Sequence, residues 1–320
     1  MAARGEATAV AHPNVALVKY WGKQAGAGNR PATPSLSVTL SGIATTTRVE
    51  AAPADRLWLN GKEAQDPKIA GFLAELRTAF DIPGIAITTG NDFPTGAGLA
   101  SSASGFAALT TAIDAAFGLG LDRAERSVWA RRGSASAARS IFGGFVALVE
   151  RGGESVAETV ADADHWPLAV TVGVASKQVK SVGSTAGMER ARATSPFYNA
   201  WTTSTHDDFS VALRAVRARD FDALAEVAEH SSMKLHALTL TSRPAIVYWA
   251  PATVAALHAL AQLRSAGTGV FASIDAGPQV KAFSALDDAD DVADALATVP
   301  GIERVIRCSI GPAAAVTDAG

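Results

Sequence analysis

The stretch from Phe93 to Phe117 restricts the fold more than any other. A loop of small residues, Phe93-Pro94-Thr95-Gly96-Ala97-Gly98-Leu99-Ala100-Ser101-Ser102-Ala103-Ser104, runs without a break into an alanine-rich helical pattern. Beyond Leu99, the residues Phe106, Leu109, Thr110, Ile113 and Phe117 recur at three- and four-residue steps until Gly118 and Gly120 close the segment. A helix this apolar has to be buried, so an apolar layer must lie against it. Small loop residues let backbone N–H groups approach an anion closely, and the helix N-terminus adds about half a positive charge. The segment therefore predicts a phosphate cradle, although an ordinary glycine-rich turn before a helix would read similarly. Two serines on the first turn favour phosphate. It is not a Walker loop, because no Gly-Lys-Ser/Thr follows.

The flanking sequence supplies the layers. Ala44 to Glu50 is threonine-rich, and Leu57-Trp58-Leu59 runs into Asn60-Gly61, a hairpin signal. Ile69, Phe72, Leu73, Leu76 and Phe80 predict an amphipathic helix ending before Pro83, with its stripe against that sheet, and Ile85 and Ile87 resume strand alternation. Asp122 with Glu125 reads as a variant capping box for a helix that stops near Gly133. Phe145 to Val149 and Leu168 to Val174 read as strands, and Ser181 to Met188 as turns, where a domain boundary is expected: residues 1–185, then 186–320. Phe209 to Glu229, Thr253 to Arg264 and Asp287 to Ala297 carry helical periodicity. Gly269 to Ile274 reads as a strand ending at Asp275, and Val305 to Ile310 as the last strand. The order fits α+β better than regular βαβ alternation, and no internal repeat is visible.

The 320 residues are 48% hydrophobic and 18% charged, enough for one large core or two that share a cleft. Lys plus Arg number 28 against 31 for Asp plus Glu, so the net charge of -3 offers no global attraction for nucleic acid or an anionic membrane. Any anionic ligand must be met by a local cluster of cations. Cys308 is the only cysteine, which excludes an intramolecular disulfide and a cysteine-based zinc site and suits a reducing cytoplasm. Neither a leader in Met1 to Val10 nor an apolar run of membrane length is seen, so a soluble, untargeted protein is expected.

Three places carry candidate chemistry. Lys19, Tyr20 and Lys23 lie within five positions, and two ammoniums with a phenol suit a phosphorylated tail, unless the lysines are simply solvated. Arg139 sits among Gly, Ser and Ala with no acid nearby in sequence, so its planar fork could grip a carboxylate or form a structural ion pair elsewhere. Asp275 follows an apolar strand and precedes Ala-Gly-Pro, where an aspartate is more often a turn former. The six histidines include no close metal-type pair, and Trp21, Phe93 and Phe106 read as packing residues.

The loop from Pro94 to Ala108 resembles the ATP-binding motif of the GHMP kinase superfamily in the form typical of its decarboxylase branch, the diphosphomevalonate decarboxylases. Asn14 to Lys23, Gly133 to Ser140 and Ile274 to Pro278 are similar to that branch in the same order, so the resemblance is effectively full length. It implies a two-lobed GHMP-kinase-like fold, with an N-terminal lobe like domain 2 of ribosomal protein S5, a ferredoxin-like C-terminal lobe and a cleft between them. It also implies ATP-dependent decarboxylation of (R)-5-diphosphomevalonate to isopentenyl diphosphate, with ATP and Mg2+, in a cytoplasmic homodimer. By resemblance, Asp275 is catalytic and Arg139 clamps the C1 carboxylate, with Asn14 behind the arginine and Ser134 and Ser136 as hydroxyl donors. Tyr20 and Lys23 then bind the 5-diphosphate, Ser184 contacts substrate, and Gly96, Gly98, Leu99, Ala100, Ser101, Ser102 and Lys180 meet ATP, while Lys19 has no assigned role. Pro34 and Gly183 replace serines common in the family, which keeps open a monophosphate substrate or a kinase that stops after phosphorylating the 3-hydroxyl. A catalytically silent ligand-binding relative is the reading from another class.

Overall fold

The computed structural model describes residues 5–26, 28–93, 101–175 and 181–318. Its architecture is α+β, with three sheets among the described residues. The first sheet contains β1 (Glu6–Ala11), β4 (Thr45–Ala52), β5 (Arg56–Leu59), β6 (Lys62–Ala64), β7 (Gly84–Asn91) and β14 (Ala315–Asp318), ordered β14-β1-β4-β7-β5-β6. The second is β2 (Asn14–Val18), β3 (Ser35–Thr39), β8 (Phe145–Arg151) and β9 (Glu154–Ala161), all antiparallel in that order. The third runs β11-β12-β10-β13, from β10 (Ala169–Val174), β11 (Val270–Ile274), β12 (Val280–Ser284) and β13 (Arg304–Ser309). β10 thus pairs with strands from the last quarter of the chain although it precedes residue 185.

The alternation in β1 buries Ala7, Ala9 and Ala11 on one face. Against that face lies α2 (Ser101–Phe117), buried along most of its length as its composition requires. α1 (Pro67–Ala79) is capped by Asp66, whose carboxylate accepts from the N–H groups of Lys68 and Ile69, and it buries Phe72, Leu73 and Leu76. Phe72 meets Phe106 of α2 edge to face at 5.4 Å. α3 (Arg123–Gly133) opens with the expected reciprocal capping box between Asp122 and Glu125, and the short α4 (Ala137–Ser140) follows. The Asn60-Gly61 turn joins β5 to β6.

α5 (Ser184–Thr194), α6 (Tyr198–Ala218), α7 (Phe221–Leu240), α8 (Pro251–Ser265) and α9 (Ala289–Ala297) come later. One apolar cluster joins Val15, Leu17 and Val38 of the second sheet to Val170, Phe271 and Phe283 of the third, with Leu224 and Ala228 of α7 between them. α7 therefore touches both β2 and β11, the two strands that deliver the site.

Three expectations are corrected. Ser181 to Met188 is not all turn, because α5 begins at Ser184; its Gly187 is explained by packing, since a Cβ there would come 2.6 Å from the Tyr248 hydroxyl and 3.1 Å from Trp21. The pattern from Phe209 to Glu229 is two helices, broken where Arg219 turns left-handed (φ 56) and Asp220 caps α7. β13 is not the last strand, since the exposed β14 pairs with β1 without any buried alternation to betray it.

Gly133, at the end of α3, lies against the Phe106 ring, where an added Cβ would come 2.1 Å from the ring edge. Gly133→Ala is therefore expected to lower stability by about 1 to 3 kcal/mol through overpacking. Urea unfolding checks this; an unchanged midpoint would show that the Phe106 ring yields.

Candidate active site

β2 is buried at every position, and the run continues into Lys19, which is 1% exposed. A buried ammonium requires partners, and Lys19 Nζ donates to the Ala16 carbonyl (2.9 Å), Ser273 Oγ (2.6 Å) and Asp275 Oδ1 (2.7 Å). Asp275 stands just past β11 on a tight turn in which the Gly277 N–H returns to its carbonyl at 2.7 Å. Its other oxygen, Oδ2, lies 3.1 Å from the Nζ of Lys281, a buried residue of β12 paired in register with Ser273. α7 pins both sides: Ser231 Oγ accepts the Lys19 N–H at 2.9 Å, and Ser232 Oγ accepts the Ile274 N–H at 3.0 Å.

Burial pulls the Lys19 ammonium down to about 8, against the opposing attraction of Asp275. For Asp275, burial alone would raise the carboxyl, but the two ammoniums and their hydrogen bonds outweigh it and hold the group below the usual carboxylate range. Asp275 is thus a persistent anion at neutral pH, and about 25% of its side chain stays exposed to the cleft.

Arg139 is buried on α4, yet among the described residues no carboxylate touches it. Nε donates to Ser37 Oγ (2.9 Å), Nη1 to Ser35 Oγ (2.8 Å) and Nη2 to Asn14 Oδ1 (3.2 Å). Asn14 is itself fixed by donating to the Ser136 carbonyl (2.9 Å) and to Ser140 Oγ (2.8 Å). These neutral partners orient the guanidinium without cancelling its charge; burial draws it down to about 10, so it remains a cation. Beside it the Ser134 and Ser136 hydroxyls lie 3.3 Å apart, and Ser134 also reaches Ser102 Oγ at 3.3 Å.

At the other end, Lys23 Nζ donates to Asn29 Oδ1 (2.7 Å) and Thr185 Oγ1 (3.2 Å). Asn29 adopts the left-handed conformation (φ 54) that asparagine tolerates better than most residues, and its amide donates to the Arg132 carbonyl at 2.7 Å. The Tyr20 hydroxyl is buried with no partner among the described residues, and burial pushes this phenol up, so it stays a neutral donor. Ser184 and Thr185 open α5, and Ser101 and Ser102 open α2, so two helix N-termini face one space.

That space is a cleft of about 690 Å³. Asn14, Tyr20, Lys23, Ser101, Ser102, Ser134, Ser136, Arg139, Ser184 and Asp275 all line it, so every expected site residue within the described segments lies on one wall or another. Gly96, Gly98, Leu99, Ala100 and Lys180 fall outside the described residues. Sequence reasoning missed Lys281 and the orienting Ser35, Ser37 and Asn29, and left Lys19 without a role. Lysines inside otherwise apolar runs, Val15 to Lys19 and Val280 to Phe283, were the available signal, since an ammonium buried in a strand needs a partner. Among the described residues no three His, Cys, Asp or Glu side chains converge on a metal position.

Residues 11–161 match a family model described as the diphosphomevalonate decarboxylase-like N-terminal domain, and residues 170–311 match the mevalonate 5-diphosphate decarboxylase C-terminal domain. Diphosphomevalonate decarboxylase of Candida albicans is 34% identical, covering 96% of both chains. The human diphosphomevalonate decarboxylase is 35% identical over 88% of this chain and 77% of its own. A solved structure of MDDEF in complex with MVAPP, AMPPCP and magnesium superposes with a TM-score of 0.91 at 34% identity, covering 98% of this chain and 99% of that one. With similarity running through both matched domains and nearly the whole length, this chain belongs to the diphosphomevalonate decarboxylase family.

Proposed function

We propose that the protein catalyses the ATP-dependent decarboxylation of (R)-5-diphosphomevalonate to isopentenyl diphosphate, releasing ADP, phosphate and CO2. The observation that carries this reading is Arg139 held by neutral partners in the same cleft as the Asp275 carboxylate. A guanidinium with no acid of its own suits a substrate carboxylate, and a fixed anion suits a centre that gains positive charge. The names of the relatives support the same substrate, and the MDDEF complex, with its nucleotide analogue and magnesium, supports ATP. A cytoplasmic homodimer of two-domain chains completes the reading, supported by the family resemblance, with the division ahead of β10 rather than near residue 185, because β10 pairs with the C-terminal strands.

The chemistry follows from the groups present. Tyr20, with its unpartnered hydroxyl, and Lys23 meet the 5-diphosphate, while Arg139, Ser134 and Ser136 place C1 and the 3-hydroxyl. Asp275 accepts the hydrogen bond of that hydroxyl and aligns its oxygen for the γ-phosphoryl group, which the starts of α2 and α5 help to position; as the bond to the β-phosphate breaks and ADP leaves, the hydroxyl proton passes along that hydrogen bond and on to solvent. Transfer turns a poor leaving group into phosphate. As the C3–O bond breaks, the C1–C2 pair moves in to form the C2–C3 double bond and CO2 departs. Magnesium would arrive on the nucleotide phosphates, where the Ser101 and Ser102 side chains line the cleft, and would supply charge neutralisation there.

Incubation with ATP, Mg2+ and 5-diphosphomevalonate tests the proposal: CO2 and phosphate should form in equal amounts, whereas ADP without CO2 would make the protein a kinase. Arg139→Lys should reduce kcat/KM by at least roughly 30-fold, about 2 kcal/mol, because one ammonium cannot replace the planar fork; a loss within twofold would return Arg139 to a structural role. Asp275→Asn should leave nucleotide binding intact and cut kcat by about a thousandfold or more, as read by CO2 release and calorimetry. Lys23→Met should weaken the diphosphate substrate more than the monophosphate, and equal effects on the two would reassign the tail pocket.

A further inference from the structure

Lys281 is a buried cation that the mechanism above does not use. It lies in β12, every residue of which is buried, between Val280 and Ala282, and it faces Ser273 on β11 and Val172 on β10. An aliphatic side chain would fill such a position without the cost of desolvating an ammonium. Nor does the fold require it for neutralisation, because Lys19 already binds Oδ1 of the same carboxylate at 2.7 Å. The second ammonium lies 3.1 Å from Oδ2.

We infer that Lys281 is a positioning residue for the reaction, holding Oδ2 while Lys19 holds Oδ1, so that Asp275 meets the substrate as an oriented, permanent anion. With each oxygen on a separate ammonium, the carboxylate plane cannot rotate freely, and its remaining lone pairs are aimed at the cleft. The surroundings reinforce this. Lys19 approaches from the end of β2, Lys281 from β12, Arg139 from α4 and His236 from α7, so among the described residues the charged or titratable groups facing Asp275 are cations or a neutral imidazole. Burial draws the His236 ring down to about 3, leaving it uncharged, whereas Arg139 stays protonated. The lowered carboxyl of Asp275 agrees with the geometry: its anionic form is present above the lowered value and would be lost only as pH falls through it. Relieved of one ammonium, the carboxyl should take up its proton at higher pH.

The inference rests on the decarboxylase reading, and the experiment separates the two. Wild type and Lys281→Met are compared by CO2 and ADP release from about pH 5 to pH 8, where titration of the substrate cancels in the ratio of their rates. The variant should lose about tenfold in kcat at pH 7 with KM within about threefold, and the ratio should widen as pH falls. Lys281→Arg, which keeps the charge, should hold the ratio flat. A loss that is the same at every pH and is not recovered in Lys281→Arg overturns the inference and makes Lys281 a packing residue. If Lys281→Met does not fold, 13C NMR of wild type and Lys281→Gln with carboxyl-labelled aspartate decides, the resonance being assigned by its disappearance in Asp275→Asn. A midpoint higher in Lys281→Gln than in wild type supports the inference, and the same midpoint in both overturns it. Absence of CO2 release by wild type would instead overturn the decarboxylase reading, leaving the NMR result to judge Lys281 by itself.

Discussion

The ion triad of Lys19, Asp275 and Lys281 is the interaction on which the site depends. Its members come from the end of β2, the turn after β11, and β12, and thus join the second sheet to the third. Removing Asp275 would leave two buried ammoniums uncompensated, a loss typically of about 3 to 5 kcal/mol in such settings, whereas removing either lysine leaves the carboxylate one partner. The local hydrogen bonds fit that demand: Ser273 Oγ receives Lys19 Nζ at 2.6 Å and donates to the Ala16 carbonyl at 2.8 Å. α7 closes the arrangement from behind, with adjacent serines bonded to the backbone of both strands.

Around this triad the cleft is strongly cationic although the whole chain carries a net charge of -3. Lys19, Lys281 and Arg139 outnumber the single Asp275 carboxylate in the buried part, while Lys23 and Lys68 stand nearer the mouth. Proximity to Lys68 adds to burial in lowering Lys23. Such an excess is unfavourable without an anion and favourable with one, so the cleft is preorganised for a ligand with several negative groups. Arg132, by contrast, is answered by Glu75 at 2.6 Å and contributes less unbalanced charge. Gly183 brings no hydroxyl to the wall, where Thr185 accepts from Lys23 and Ser35 from Arg139, whereas Pro34 lines a separate pocket.

Local signals predicted local structure well. The capping box before α3, the Asn60-Gly61 turn, the stripe on α1 and the buried α2 depend on neighbours three or four positions away. Where composition misled, the cause lay in distant contacts. Ser-Thr-Ala-Gly reads as a turn, yet it starts α5, because Gly187 clears space for Trp21 and Tyr248, far away in the chain.

By itself the sequence determined the α+β class, the apolar helix α2, and the candidates Arg139, Asp275, Tyr20 and Lys23, because each rests on residue type and short-range pattern. Only the tertiary structure decided that Arg139 has neutral partners on β2 and β3, that Lys19 belongs to Asp275 across 256 positions, and that Lys281 shares the same carboxylate. Hydrogen bonds and ion pairs act over about 3 Å in space whatever the separation along the chain, so the partner of a buried charge is settled only when the strands that carry both have packed.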